Sequence, residues 1–287
     1  MKSFDYHEPP SLAGASALLA EFGKDASIIA GGTDLLVELK EELRSALHVV
    51  NIKKIPGLRD FSYDPESGLH IGALVTVREI ETSPVVIANY PNLAKAGSLL
   101  GSIQVRNRAT IVGNICRASP SADTIPPLVA DQASLTVYNG VGERSILLEE
   151  FFTGPGRTVL VPGDVVTGIS LPAPRATSGK AYIKHGRRKA MELATVGVAV
   201  SLEHEAGKCS EIRIALGAVA PTVIRARKTE ALLRGRTIDE ALLAAAAESA
   251  MQESTPIGNV RASAAYRRDM VGVLTRRAIG YAMGGAQ

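Results

Sequence analysis

The stretch Ile28-Ile29-Ala30-Gly31-Gly32-Thr33-Asp34-Leu35-Leu36 decides how this chain is read. Ser27 to Ala30 reads as a short buried strand, and Gly31-Gly32 breaks it. Thr33 or Asp34 then caps a helix carrying Leu35, Leu36 and Leu39. Glycines admit positive φ and let a ligand approach the backbone closely. Successive N–H groups at such a turn, with a helix start behind them, suit a pyrophosphate. A plain strand–helix turn is the alternative, and this stretch alone does not exclude it. Upstream, Ser11 caps a helix holding Leu12, Leu18, Leu19 and Phe22, closed by Gly23. Downstream, His48 to Ile52 is the next strand. Strand, helix, strand within residues 1–55 makes a small α/β unit.

A second glycine-bearing stretch runs from Ala109 to Pro127 in the next region, 56–175. Thr110, Asn114, Ser119, Ser121 and Asp123 supply donors and acceptors there, and Gly113 allows close approach. Asp123 can accept from ribose hydroxyls, or it can simply cap the helix that opens at Pro126. Arg106 to Asn114 shows no helical spacing. Strands are expected at Gly68–Ala73, Ala133–Tyr138 and Asp164–Leu171, and a helix at Asn92–Leu100. The Pro172-Ala173-Pro174 stretch through Gly179 reads as a linker. The last region, 176–287, has strands at Ala181–His185, Thr195–His204 and Glu211–Val219. Thr237-Ile238-Asp239-Glu240 then matches a capping box, and Ser263 to Met283 has an amphipathic spacing.

Composition narrows the function classes. The chain has 287 residues, 46% hydrophobic and 21% charged, as in an ordinary globular protein of about two domains. A net charge of +3 with no Trp argues against nucleic-acid binding. No apolar run reaches the roughly 18 residues of a membrane span. Cys116 and Cys209 are the only cysteines, so the chain holds no disulfide framework and no iron–sulfur cluster on its own thiolates. A cytoplasmic location with reduced thiols is expected. The five histidines are scattered, with no pair at metal-ligand spacing. No P-loop occurs, and Gly154-Pro155-Gly156-Arg157-Thr158-Val159 lacks the third glycine of a Rossmann fingerprint. The basic stretches at Arg225-Ala226-Arg227-Lys228, Arg267-Arg268 and Arg276-Arg277 read first as solvated faces or internal pairs, and second as partner contacts.

The two glycine-bearing stretches together carry a resemblance. The chain resembles the FAD-binding medium subunit of the molybdenum hydroxylases, the xanthine dehydrogenase and aerobic carbon monoxide dehydrogenase family. The likeness runs from Phe4-x-Tyr6-x-x-Pro9 through Ala30-Gly31-Gly32-Thr33-Asp34-Leu35-Leu36 and the Ala109–Pro127 segment. It continues at Gly163-Asp164, Leu171-Pro172, Tyr182-x-Lys184 and Thr255-Pro256-Ile257. It ends at Arg261-Ala262-Ser263-Ala264-x-Tyr266-Arg267-Arg268 and Val273-Leu274-x-Arg276-Arg277.

The resemblance implies an α+β, vanillyl-alcohol-oxidase-like (PCMH-type) FAD-binding fold. It has two α/β subdomains and a C-terminal domain built on a three-stranded antiparallel sheet with helices. Ile28, Ile29, Ala30, Gly31, Gly32, Thr33, Asp34 and Leu35 would wrap the FAD pyrophosphate. Ala109, Thr110, Gly113, Asn114, Cys116 and Asp123 would continue the site, with Asp123 on a ribose hydroxyl. Val166 would pack near the flavin, and Lys184 would approach it from the third domain. The chain would itself carry no catalytic residue and no metal. It would pass electrons through FAD, with a molybdenum cofactor on a large partner subunit and two [2Fe–2S] clusters on a small one, in a dimer of heterotrimers. Two departures stand out: Val112 replaces a frequent glycine, and Leu193 stands where some relatives have Tyr. A stand-alone FAD oxidoreductase, or a scaffold subunit that has lost flavin, are the rival readings.

Overall fold

The computed structural model of the chain describes residues 1–205 and 207–284. Each of the three sequence regions contributes its own sheet. In the first, β1 (Asp5–His7), α1 (Leu12–Phe22), β2 (Ala26–Ile29), α2 (Leu35–Lys40) and β3 (His48–Asn51) follow one another. The three strands pair in parallel, in the order β1-β3-β2. Ser11 caps α1 by accepting from the Gly14 N–H, and Gly23 closes it at φ 52°.

The second region begins with β4 (Phe61–Asp64) and β5 (Gly68–Gly72). Six helices follow: α3 (Val77–Thr82), α4 (Pro84–Asn89), α5 (Pro91–Leu99), α6 (Ile103–Arg106), α7 (Ile111–Cys116) and α8 (Ile125–Ala130). Then come β6 (Ser134–Tyr138), β7 (Glu143–Leu147), a short ribbon of β8 (Phe152–Gly154) and β9 (Arg157–Thr158), and β10 (Val165–Leu171). The sheet is antiparallel in the order β4-β5-β10-β6-β7. Helix α7 occupies ground within Arg106–Asn114 where no helical spacing is read. At six residues it is too short to display a 3.6-residue period. Ser16 of α1 donates to the Gly163 carbonyl at 2.6 Å, which ties the first unit to the turn before β10. In that turn Asp164 takes a bidentate pair from Arg144, at 3.1 and 2.7 Å. The Gly163-Asp164 signature is thereby explained by structure alone.

The third region has β11 (Ser178–His185), β12 (Val196–Glu205), β13 (Lys208–Gly217) and β14 (Ile224–Arg225), then α9 (Arg227–Leu233), α10 (Glu240–Glu253) and α11 (Ala264–Ala282). The three expected strands are present, and the two-residue β14 extends the antiparallel sheet by one. Helix α10 is capped by Asp239, which accepts from the Leu242 N–H. Thr237 instead pairs with Lys208 as an isolated bridge. The capping box read at Thr237 therefore lies two residues too early: two cap-competent residues stood close together, and the Lys208 pairing claimed the first.

This last sheet has two different faces, because successive side chains alternate. Val196, Val198, Val200 and Leu202 face α11, and α10 packs on α11 in the same core. Ala199 and Ala215, in register with Tyr182, belong to the core shared with the second region. An added Cβ on Gly217, in register with Gly197, would lie 2.9 Å from Pro126, so the small residues let α8 press onto the sheet. Every residue of α8 is buried. Its prolines occupy the first turn, where a missing N–H costs no helical bond.

Lys180, Tyr182 and Lys184 alternate along β11 and share the α8-facing side. Lys180 pairs with Asp131, the C-cap of α8, and Asp131 also accepts from Asn92 at 3.0 Å. The side chains of Lys180 and Asp131 are only 6% and 1% exposed. Replacing Lys180 with Met therefore strands a buried carboxylate, and the expected cost is about 3 kcal/mol. Urea unfolding reads it directly. An unchanged midpoint would remove this pair from the set of interactions that hold the third unit to the second.

Candidate functional site

The glycine turn meets the second stretch through its backbone. A Cβ built on Gly31 would lie 2.1 Å from the Arg108 carbonyl oxygen and 3.1 Å from Ala109 Cα. Only glycine permits that approach. Gly32 sits at φ 75°, and its hypothetical Cβ would meet the side-chain ends of Ile29 and Leu36 at 3.2 and 3.3 Å. The two glycines thus do different work: Gly31 gives contact, and Gly32 gives the left-handed bend. Ile28 and Ile29 lie in β2, paired with Val50 and Asn51. Ala30 to Asp34 form the turn, and Leu35 opens α2 with 8% exposure.

Carbonyls in this turn are used, but its amides are not. Leu36 N–H donates to the Gly32 carbonyl at 3.0 Å, and Lys53 Nζ to the Ala30 carbonyl at 3.4 Å. Among the described residues, no acceptor meets the N–H groups from Gly31 to Leu35. A run of free, adjacent amides is the donor set that phosphate oxygens require. Basic groups stand close by. Burial, then the nearby Arg108 charge, lowers the pKa of Lys53. Arg117 reaches Glu38 of α2 at 2.7 Å, a second tie between the two stretches. Burial raises the Asp34 carboxyl, while Arg117 works against that rise.

The segment Ala109–Asp123 is built on capped short helices. Its start pairs with Val75–Val77: Val77 N–H donates to the Ala109 carbonyl, and Thr76 bridges Thr110. Thr110 caps α7 by accepting from Gly113 N–H at 3.0 Å. A Cβ on Gly113 would lie 2.8 Å from the Thr110 hydroxyl, so this glycine makes room for the cap. Val112 lies inside α7 and is 5% exposed, packed in the core; no positive φ is demanded of it. Asn114 accepts from the Thr124 hydroxyl at 2.7 Å and so fastens α7 to the start of α8. Cys116 ends α7 at the surface.

Asp123 does not cap α8. Thr124 holds the cap position without a side-chain bond, and the Asp123 carboxylate turns toward β11 instead. Lys184 Nζ lies 2.7 Å from Asp123 Oδ2, and the Tyr182 hydroxyl donates to Oδ1 at 3.1 Å. Lys184 also donates to the Leu99 and Glu192 carbonyls, at 3.1 and 2.7 Å. Burial pushes the Asp123 carboxyl up to about 6, against the pull of Lys184 and Tyr182. The carboxylate therefore stands at the seam between the second and third units, held from one side by the third.

Val166 lies on β10 opposite Val137 and is 4% exposed. It shares its core with Ile111 and Val112, since β10 packs against α7. Leu193, next to the Glu192 carbonyl that Lys184 holds, is 46% exposed. The structure thus brings Gly31 against Ala109, and Asp123 against Lys184. Sequence reading gave no site role to Lys53, Arg108, Arg117 or Tyr182. Tyr182 and Arg117 entered only as parts of the Tyr182-x-Lys184 and Ala109–Pro127 likenesses, and Lys53 and Arg108 belonged to neither.

Free amides at a strand–glycine–helix turn, cations beside them and a buried carboxylate at a domain seam form a donor and acceptor set that suits a dinucleotide. Known proteins place the chain more narrowly. Residues 2–174 match the FAD binding domain in molybdopterin dehydrogenase, and residues 181–282 the CO dehydrogenase flavoprotein C-terminal domain. The carbon monoxide dehydrogenase medium chain of Hydrogenophaga pseudoflava is 35% identical over 96% of this chain and 96% of its own. The xanthine dehydrogenase FAD-binding subunit of Escherichia coli O157:H7 is 32% identical over 98% of this chain and 96% of its own. A solved carbon monoxide dehydrogenase from Hydrogenophaga pseudoflava superposes with a TM-score of 0.95 at 36% identity, covering 99% of this chain and 98% of that one. The chain belongs to the family of FAD-binding subunits of xanthine and carbon monoxide dehydrogenase-type molybdenum hydroxylases. Its fold is the α+β FAD-binding fold of that family followed by the flavoprotein C-terminal domain.

Proposed function

We propose that this chain is the electron-transfer subunit of a heterotrimeric molybdenum hydroxylase. It takes electrons from the [2Fe–2S] clusters of a small partner subunit and passes them through FAD to an external acceptor. A large partner subunit holds the molybdenum cofactor and oxidises the substrate, and the assembly is a dimer of heterotrimers in the cytoplasm. One observation carries the flavin part of the reading: the N–H run Gly31–Leu35, unpaired among the described residues, is pressed by Gly31 onto the Arg108–Ala109 backbone, and the partners follow from the family.

The residues fit the cofactor. Amides from Gly31 to Leu35 would bind the pyrophosphate, with Lys53 and Arg108 adding charge. Asp123 would accept from a ribose hydroxyl through the lone pairs that Lys184 and Tyr182 leave free. Lys184, fixed by two carbonyls and one carboxylate, would present its ammonium to the flavin side of the seam. Val166 would pack near the flavin, while Ile28, Ile29 and Leu35 would flank the pyrophosphate turn. When bound, FAD supplies the step between one-electron clusters and the acceptor. No helix among the described residues is long and apolar enough to cross a membrane.

Affinity purification of the tagged chain from its native host tests this reading. A large molybdenum-containing chain and a small iron-containing chain should come with it. Recovery of the tagged chain alone, turning over a substrate by itself, would favour the stand-alone flavoenzyme.

A further inference from the structure

We propose that Tyr182 is a positioning residue of the flavin site, holding the Asp123 carboxylate ionised and turned for ribose hydroxyls. The inference rests on the reading that Asp123 binds the cofactor. Its own support is geometric. The Tyr182 hydroxyl donates to Asp123 Oδ1 at 3.1 Å while Lys184 occupies Oδ2, so the carboxylate plane is fixed at both oxygens. Tyr182 is 3% exposed, and its hydroxyl has no other partner among the described residues. The neighbouring strand leaves it room: a Cβ on Gly197 would lie 3.2 Å from the hydroxyl oxygen. A phenol buried this deeply with one partner is costly to keep unless the partner matters.

The charged and titratable groups facing Asp123 are Lys184 and Tyr182, both from β11. At the far end of α8, Lys180 is matched by Asp131. The Glu192 carboxylate is taken by Arg187 at 2.9 Å and turns only its carbonyl toward Lys184. Among the described residues no other side chain donates to the Asp123 carboxylate to compensate the loss of the phenol. Without it the carboxylate keeps its burial and loses one donor, so it holds its proton to higher pH.

The test is FAD affinity against pH, by flavin fluorescence, for the full chain and for Tyr182→Phe, Asp123→Asn and the double variant. The native chain should weaken as pH falls through about 6. Tyr182→Phe should move that midpoint up by about one pH unit, weakening binding about fivefold at pH 6 and less than about twofold at pH 8. In the Asp123→Asn background the phenol should make no difference. A uniform loss at every pH, or an unmoved midpoint, would overturn the role of Tyr182. Native binding by Asp123→Asn would instead overturn the placement of Asp123 in the site. Should Tyr182→Phe fold poorly, Gly197→Ala crowds the same hydroxyl at 3.2 Å, and the expected result is a smaller shift of the midpoint in the same direction.

Discussion

Asp123→Ala yields a chain without FAD and with markedly lower stability. Two losses combine. The carboxylate that would meet the ribose is gone, and Lys184, 9% exposed at its side chain, keeps its charge with only the Leu99 and Glu192 carbonyls for company. Breaking a buried ion pair from one side costs about 3–5 kcal/mol. That is a large part of the whole stability of a typical domain, about 5–15 kcal/mol. The two losses separate in a paired variant. Asp123→Leu with Lys184→Met removes both charges and should recover most of the unfolding free energy while remaining free of flavin. Denaturant unfolding and flavin content, measured on the same samples, check both arms. If the double variant binds FAD normally, the seam is a structural clamp and no part of the cofactor site.

Gly31→Val is expected to abolish FAD binding with a substantial loss of stability, and Gly32→Ala to keep most of both. The contrast follows from what each side chain would strike. At Gly31 the obstacle is backbone, the Arg108 carbonyl at 2.1 Å, and the turn must leave the Arg108–Ala109 segment. Overpacking costs about 1–3 kcal/mol where side chains can yield, and here none is available to yield. At Gly32 the obstacles are the flexible ends of Ile29 and Leu36, and the strain of φ 75° costs only about 1–2 kcal/mol. Flavin content after desalting gives the answer. Equal retention by both variants would show that the free amides of this turn do not hold the cofactor.

Much of this was open to sequence reading, and the remainder was hidden for identifiable reasons. A cap with a clear partner was legible: Ser11 starts α1 as its position requires. The glycine pair marked its turn correctly, but its division of labour was not legible, because the Arg108 carbonyl that demands Gly31 lies far along the chain. Helix α7 was missed because Thr110 and Gly113 form its first turn by a side-chain cap that leaves no apolar period. Val112 looked like a defect in a glycine position and proves to be a core residue in a helix. Arg267 illustrates a signature with a structural cause. Its guanidinium donates to the Thr195, Ala218 and Asn259 oxygens, at 2.6, 3.1 and 2.9 Å, binding the loop before α11 to the sheet. Long-range partners of this kind leave no trace in local spacing.

FAD is proposed to bind at the turn Gly31–Leu35 and the seam at Asp123. The most direct test is flavin quantification on the chain after incubation with FAD and desalting, repeated on the complex with its partner subunits. About one FAD per chain, released on denaturation, is the expected result. A chain that retains none, alone and in the complex, would contradict it.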